Sequence, residues 1–358
     1  MTVPFLFLIF FFLSTVFLKR RINMKFFQNT TEVTFTALDK AFNVSSVFCE
    51  FNLFGHMFSI KWYGVIIAFG LLLAVLFGGR IAYTWKMSLE KMVDVLIYGM
   101  LGGIIGARAY YVIFSWDDYK NNFADVFKIW EGGLAIYGGI IGGLLAAFIT
   151  CKIIKLNFYN LLDLAGMSLL IGQGIGRWGN FANQEAFGTN TDLPWGMYSE
   201  KICSYIIRNQ SSLPGVDPYK PVHPTFLYES IGCIVGFIIL YIILKKARKF
   251  SGQLFLSYGI WYGIGRTIIE GLRTDSLYIV GNLRVSQLLS LILVAACSVL
   301  LIVKLVKYAK NPQPIELGDM GDGIITAVPF GKGGSDSESK EEPTNTESKG
   351  DDGNVQSD

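Results

Sequence analysis

Charge is scarce in this chain. Only 16% of its 358 residues are Asp, Glu, Lys or Arg, where a soluble globular chain carries about a quarter. That is too little to solvate the surface of an ordinary folded domain of this length. Histidine is nearly missing, with only His56 and His223, and the five cysteines (Cys49, Cys151, Cys203, Cys233 and Cys297) form no CxxC pair. A structural zinc site needs clustered Cys and His ligands, so no metal is expected. The scattered cysteines read as small apolar filler. No repeat at the spacing of a solenoid is apparent. Nor is there a basic stripe: the cations gather at the ends of apolar runs, which excludes nucleic acid as an expected partner.

Apolar residues fill the space that charge leaves. The chain is 52% hydrophobic, with 39 glycines and 15% aromatics. A helix crossing a hydrocarbon layer of about 30 Å needs about 20 apolar residues. Runs of that kind occur at 62–84, 92–114, 134–154, 158–176, 226–244, 252–270 and 285–304. Basic residues follow every second run: Arg80, Lys86 and Lys91, then Lys152 and Lys155, then Lys245, Lys246, Arg248 and Lys249, then Lys304, Lys307 and Lys310. Cations favour the cytoplasmic side. The expected fold is therefore an all-α, polytopic membrane protein of about seven transmembrane helices. Its functional residues lie on the outer side, the segment before the first span lies outside, and the C-terminus is cytoplasmic. The lipid bilayer is its first partner.

Three regions are expected. Residues 1–57 form an N-terminal extension and outer segment, 58–310 a seven-helix catalytic domain, and 311–358 a disordered acidic cytoplasmic tail. The tail holds eleven acidic residues against three lysines, so the body is strongly basic although the whole chain carries only +3. Residues 1–23 place Lys19, Arg20 and Arg21 after an apolar run, the reverse of a signal peptide. Met24 is expected to be the true start, or 1–23 to be dispensable.

The polar chemistry sits in short motifs at the outer ends of the runs. GRWGNFANQEAFG (176–188) crowds Arg177, Asn180, Asn183 and Glu185 together where the fourth run ends. Such a set is costly at a membrane interface unless its members pair or bind something. Two readings are open: a structural knot with Arg177 on Glu185, or an anion site using the guanidinium fork. YGIGRTIIEGLR (262–273) places Arg266 and Glu270 four apart, one face of a helix. WEGGLAIYGGIIGG (130–143) sets Tyr137 among small residues, and GxxxG spacings at 99–106 and 138–143 allow two helices to pack backbone to backbone. HPTFLYE (223–229) offers His223 as a base or as a turn residue, and SIKWYG (59–64) carries Tyr63. Arg108, toward the outer part of the second run, is expected to join the polar cluster. Asp94 and Asp163 read as helix caps.

With these motifs the chain resembles the bacterial phosphatidylglycerol–prolipoprotein diacylglyceryl transferases, from about Phe58 to Lys307. GRWGNFANQEAFG resembles that family's signature, and HPTFLYE and YGIGRTIIEGLR support it. The resemblance implies a multi-pass enzyme of the bacterial cell membrane that needs no cofactor. It would move the sn-1,2-diacylglyceryl group from phosphatidylglycerol to the lipobox cysteine thiol of a preprolipoprotein signal peptide, forming a thioether and releasing glycerol phosphate. Carried over, Arg177 and Arg266 bind the phosphate and stabilise the leaving group. Asn180, Glu185 and Gly188 shape the site, with Tyr63, Tyr262 and Glu270 around it. Asn183, Arg108 and His223 complete the substrate-binding set. One departure stands out. Many members carry a histidine, proposed as the thiol's base, where this chain has Tyr137. A phenol of pKa about 10 is a poor base at neutral pH. Either Tyr137 only orients groups or another residue takes the proton, with Glu185 and His223 as the candidates, and a free thiol of pKa about 8.5 needs little help. The rival readings are a glycerolipid acyltransferase, a secondary transporter and a lipid-binding scaffold. The absence of paired, interrupted spans in two halves speaks against the transporter.

Overall fold

The computed structural model describes residues 25–317, apart from 28–29, 54–55, 121–122, 214, 275–277 and 281–282, together with 325–326. The readings made for residues 1–23 and for most of the acidic tail fall outside the described residues. Within that tail Glu316–Leu317 pairs antiparallel with Ile325–Thr326.

The chain is mostly helical. Its long helices are α1 (Trp62–Thr84), α2 (Leu89–Phe114), α3 (Ile136–Ile153), α4 (Phe158–Asn183), α6 (Thr225–Lys246), α7 (Gln253–Leu272) and α8 (Val285–Lys310), with a short α5 (Glu200–Arg208) between α4 and α6. Five of them, α1, α2, α3, α6 and α8, are long and apolar enough to cross a membrane. Their outward faces expose rows of Ile, Leu, Val and Phe, as on Ile67, Leu71, Leu72, Ile105, Ile141, Leu145, Ile238, Ile292 and Leu300. Such continuous apolar exposure is the mark of a surface that meets lipid. α4 and α7 are more polar because they carry Asn160, Asp163, Gln173 and Arg177, and Arg266 and Glu270.

The all-α expectation is corrected at the N-terminus. Residues 25–61 form β1 (Lys25–Phe26), β2 (Thr30–Phe35), β3 (Leu38–Ser45), β4 (Val47–Leu53) and β5 (His56–Lys61). They build two small antiparallel sheets, β1-β4-β5 and β3-β2-β6, where β6 is Met197–Ser199. The β2–β6 pairing places Val33 opposite Ser199 and ties the N-terminal segment to the connection between α4 and α6. The physical cause is β-branched alternation in TTEVTF, which buries Val33 completely. Val33, Phe187, Met197, Ile202, Ile206, Val222 and Phe226 form the apolar core of this cap, joined to the first turn of α6.

At the opposite end of the bundle a second core gathers Ala82, Trp85, Leu156, Leu164, Met167, Leu240 and Leu254. Between the two cores the helices run alternately up and down. α2 and α3 are packed through glycine: a Cβ on Gly106 would collide with the carbonyl oxygen of Gly138, and one on Gly142 with that of Gly102. Backbones approach this closely only where side chains are missing.

Asp163 does not cap its own helix; it binds N–H groups at the start of α7. Asn157 caps α4 by accepting from the N–H groups of Tyr159 and Asn160, and Ser88 caps α2. Asp163 is wholly buried. It accepts from Arg248 Nη2 at 2.9 Å and from the backbone N–H of Gly252 and Phe255 at 2.9 and 3.0 Å. Arg248 also donates to Asn160 Oδ1 at 2.8 Å and lies over the Trp85 ring at 4.1 Å. This cluster fixes the turn between α6 and α7 onto α4, so it sets the spacing of the three helices that carry the site. Removing one partner of a buried pair leaves an uncompensated charge and costs about 3–5 kcal/mol. Asp163→Ala should therefore lower the thermal midpoint in detergent micelles by several degrees or prevent stable insertion. A midpoint equal to wild type would remove Asp163 from the structural frame.

Candidate functional site

The site lies at the capped end of the bundle, where the end of α4, the start of α6 and the end of α7 converge. α4 continues seven residues past the expected end of its run, so Arg177, Asn180 and Asn183 stand on its last two turns and not on a loop. It ends where Gln184 adopts a left-handed conformation (φ 52°) and its N–H returns to the carbonyl of Phe181.

Arg177 does not pair with Glu185. Its Nη2 meets Glu229 Oε1, one turn into α6, at 2.9 Å. Arg266 of α7 approaches the same Glu229 oxygen at 3.8 Å through Nη1, and its Nη2 lies 2.7 Å from Glu270 Oε2. The two carboxylates are nearly enclosed, with side chains 9% and 2% exposed, while the arginines keep 24% and 22%. Glu229 Oε2 is buried and has no hydrogen-bond partner among the described residues. Arg273, two turns beyond Arg266, also acts electrostatically on Glu229. Its positive charge adds to the field of Arg177 and Arg266 at Glu229.

Two clefts meet this network. The first, of about 310 Å³, is an apolar groove lined by Leu170, Cys233, Trp261, Tyr262 and Ile268, with Arg177, Glu229 and Arg266 at one end. Tyr262 stacks on Tyr258, whose hydroxyl accepts from Gln173 Nε2 at 2.8 Å. The second, of about 560 Å³, is polar and lies under the β cap. Asn180, Asn183, Gln184 and Glu185 form part of its wall, with Lys61, Lys201, Arg208 and Arg273. Glu185 Oε1 accepts from the amides of Asn180 at 3.2 Å and Asn183 at 3.3 Å. Tyr63, at the start of α1, lies on Gly179, where a Cβ would come within 2.8 Å of its ring.

The structure brings Arg177, Asn180, Asn183, Glu185, Tyr63, Tyr262, Arg266 and Glu270 to this one region. Gly188 lies at its edge in a structural crossing. Its N–H donates to the carbonyl of His223, and the Thr189 N–H donates to that of Leu272. A Cβ there would meet His223 at 2.8 Å. His223 is engaged elsewhere. Its Nδ1 lies 3.0 Å from the Tyr228 hydroxyl, which accepts from Trp195 Nε1 at 2.7 Å. The hydroxyl proton is therefore assigned to His223 Nδ1, which makes that nitrogen an acceptor already in use. Burial also lowers the His223 pKa below its ordinary value, holding the ring neutral.

Two expected members stand apart. Arg108 does not join the cluster. It is 7% exposed, and its guanidinium donates to the carbonyls of Asp125, Val126, Gly132 and Gly133 at 2.6–2.9 Å. An isolated cation near an apolar helix end is satisfied most simply by the orphan carbonyls of the neighbouring loop, and here it binds the segment between α2 and α3. Tyr137, in the first turn of α3, is 43% exposed and lines neither cleft; its hydroxyl makes no hydrogen bond among the described residues. Sequence reasoning gave Glu229 no role. Its signal was present: a carboxylate one turn into an apolar run, at the end of the bundle that also holds Arg177 and Arg266.

With this geometry in place, comparison with known proteins decides the family. A model of the prolipoprotein diacylglyceryl transferase family matches residues 51–303. The chain belongs to that family. It is 47% identical over 249 residues to the phosphatidylglycerol–prolipoprotein diacylglyceryl transferase of Listeria welshimeri, covering 70% of this chain and 87% of the relative. It is 43% identical to that of Finegoldia magna (73% and 95% covered) and 42% identical to that of Staphylococcus aureus strain Newman (71% and 88%). The family match contains the whole arginine–carboxylate network, the last three residues of β4 and all of β5.

Arg108→Ala tests the separation of that residue from the site. Four carbonyls would lose their donor, and each buried, unsatisfied group costs about 1–3 kcal/mol. We expect a lowered melting temperature with unchanged affinity for anionic lipid in the surviving protein. Normal stability with weakened lipid binding would return Arg108 to the ligand site.

Proposed function

We propose that this chain transfers the sn-1,2-diacylglyceryl group of phosphatidylglycerol to the lipobox cysteine of preprolipoproteins, at a site on the outer face of the bacterial cell membrane. The observation that carries this reading is the convergence of Arg177 and Arg266 on Glu229 at the end of an apolar groove. A groove walled by Leu170, Trp261 and Ile268 suits an acyl chain, and two partly exposed guanidinium groups at its end suit the negative charge of a phosphodiester. Family membership supports the same reaction.

In this reading all seven long helices cross the membrane. The segment before α1 lies outside and the C-terminus lies in the cytoplasm. The basic residues at the ends of α1, α3, α6 and α8 support that orientation, since they collect at the end opposite the β cap. Residues 58–310 form the catalytic domain, with 1–57 as an outer segment and 311–358 as a cytoplasmic tail.

The chemistry follows from where charge develops. The cysteine sulfur bonds to the sn-3 carbon of the diacylglyceryl group while that carbon's bond to phosphate oxygen breaks. The departing phosphate gains charge as the bond lengthens, and two pre-positioned guanidinium groups interact with it more strongly then than in the intact lipid. One such donor is worth about 3–4 kcal/mol. Glu185 takes the thiol proton. It lies one turn beyond Asn180 in the polar chamber, and its Oε2 is left over once the two amides bind Oε1. Tyr137 lines neither cleft, so in this reading it orients only the part of the substrate that extends beyond them and does not accept the proton.

Transfer from phosphatidylglycerol to a synthetic lipobox peptide, read by the mass of the lipidated product, tests the assignment. Wild type should give the thioether. Arg177→Ala and Arg266→Ala should abolish transfer with insertion intact, and Arg177→Lys should recover little, because a point charge does not replace a planar fork. Tyr137→Phe should lose about 2- to 13-fold, the value of one hydrogen bond. No product from wild type, or full activity in either alanine variant, would overturn this function or remove that arginine from it.

A further inference from the structure

The polar chamber is larger than the cysteine chemistry needs, and its far wall is cationic. Lys201, Tyr205 and Arg208 fall at positions i, i+4 and i+7 of α5, so they present one face to it. Lys61 enters from the end of β5. Neither lysine makes an ion pair among the described residues, and the hydrogen bond found for Arg208 is the one from Nε to the Ser204 carbonyl of its own helix. Glu185 is the sole carboxylate among the residues lining the chamber, facing Lys61, Lys201, Arg208 and Arg273.

We propose that this chamber is a binding site for a phosphate monoester of glycerol, gripped by Lys61, Lys201 and Arg208, and that it receives the leaving group of the reaction. The assignment rests on the transfer reaction proposed above. Four observations carry it. Lys61, Lys201 and Arg208 face the one carboxylate of Glu185, and that surplus of more than one positive charge suits a dianion, whereas Arg177 and Arg266 beside the groove already face two carboxylates. The chamber adjoins that network: Asn180 follows Arg177 by one turn of α4, and Arg273 both lines the chamber and acts on Glu229. Gln184 Oε1 is buried on the chamber wall with no hydrogen-bond partner among the described residues, while its Nε2 is held by Thr31 Oγ1 at 2.6 Å. A fixed, vacant acceptor beside Glu185 suits glycerol hydroxyls, which donate. Finally, at about 560 Å³ the chamber has room for a small polar molecule, and its walls are mainly polar and charged, with Ala186, Phe187 and Tyr205 as the exceptions. Burial, with the like charge of Lys61 adding to it and Glu185 opposing, lowers the Lys201 pKa, as expected for a cation that lacks its anion.

Equilibrium binding to the full-length protein in detergent micelles, measured by titration calorimetry, tests this without turnover. The probes are sn-glycerol 1-phosphate, glycerophosphoglycerol (the intact phosphodiester headgroup) and inorganic phosphate. We expect glycerol 1-phosphate to bind best, with an affinity that falls with salt. The double variant Lys61→Gln/Lys201→Gln should weaken it about tenfold or more, as should Arg208→Gln, because charge-assisted bonds to phosphate are the strong ones. Lys61→Arg/Lys201→Arg should keep most of the affinity, which separates lost charge from lost folding. Unchanged binding in the glutamine variants would overturn the site. Tighter binding of glycerophosphoglycerol would make it a headgroup site for the intact lipid and overturn the product assignment. Equal binding of inorganic phosphate would reduce it to an unselective anion patch. If transfer fails while glycerol 1-phosphate binds as described, the functional reading falls and the monoester site stands.

Discussion

One carboxylate oxygen, Glu229 Oε1, stands between two arginines that come from different helices. Without it, Arg177 and Arg266 would repel each other across the mouth of an apolar groove, where weak screening makes like charges expensive. With it, both guanidinium groups are held in place and still present part of their surface to a ligand. The rest of the molecule is arranged to make this contact possible. The Asp163–Arg248 cluster fixes the turn between α6 and α7 against α4, so the three helices carrying Arg177, Glu229 and Arg266 are bound together at their far end as well as at the site.

The network also divides the space around it. On one side lies a groove with hydrocarbon walls, and on the other a chamber with polar and mostly cationic walls. A phospholipid has the same division, and the bond to be broken joins its two halves. A site that places arginines at the boundary puts its strongest electrostatics where charge appears during the reaction. The β cap closes the polar side. It is attached through the β2–β6 pairing and through a core shared with the first turn of α6, so the chamber wall and the arginine network belong to one packed unit.

Much of this was legible in the sequence. The seven apolar runs became the seven long helices, because a run of about 20 apolar residues bounded by cations has few other stable forms. The motif residues Arg177, Asn180, Glu185 and Arg266 did gather at one end, since the helices alternate in direction and the motifs alternate with them. Three things were not legible. Strands β2 to β5 were missed beside the stronger signal of the apolar runs, although Thr30–Phe35 and Val47–Leu53 alternate as strands do. Glu229 was not among the partners considered for Arg177, because Glu185 is near in sequence, whereas Glu229 is near only after α4 and α6 pack. Arg108 was drawn to the site by its charge, but a cation's partner is as readily a backbone carbonyl as an acid. Local spacing fixes which residues share a helix face and does not fix which face meets which.

The shared carboxylate is tested most directly by Glu229→Gln, a change that keeps size and removes charge. Steady-state transfer should be measured against phosphatidylglycerol concentration. The account predicts a kcat lower by about 10- to 100-fold, the value of a charge-assisted hydrogen bond. KM for the anionic lipid should not rise, because a negative charge has been taken from its site. A variant with the kcat of wild type would contradict the central claim that Glu229 holds the two arginines in their working positions.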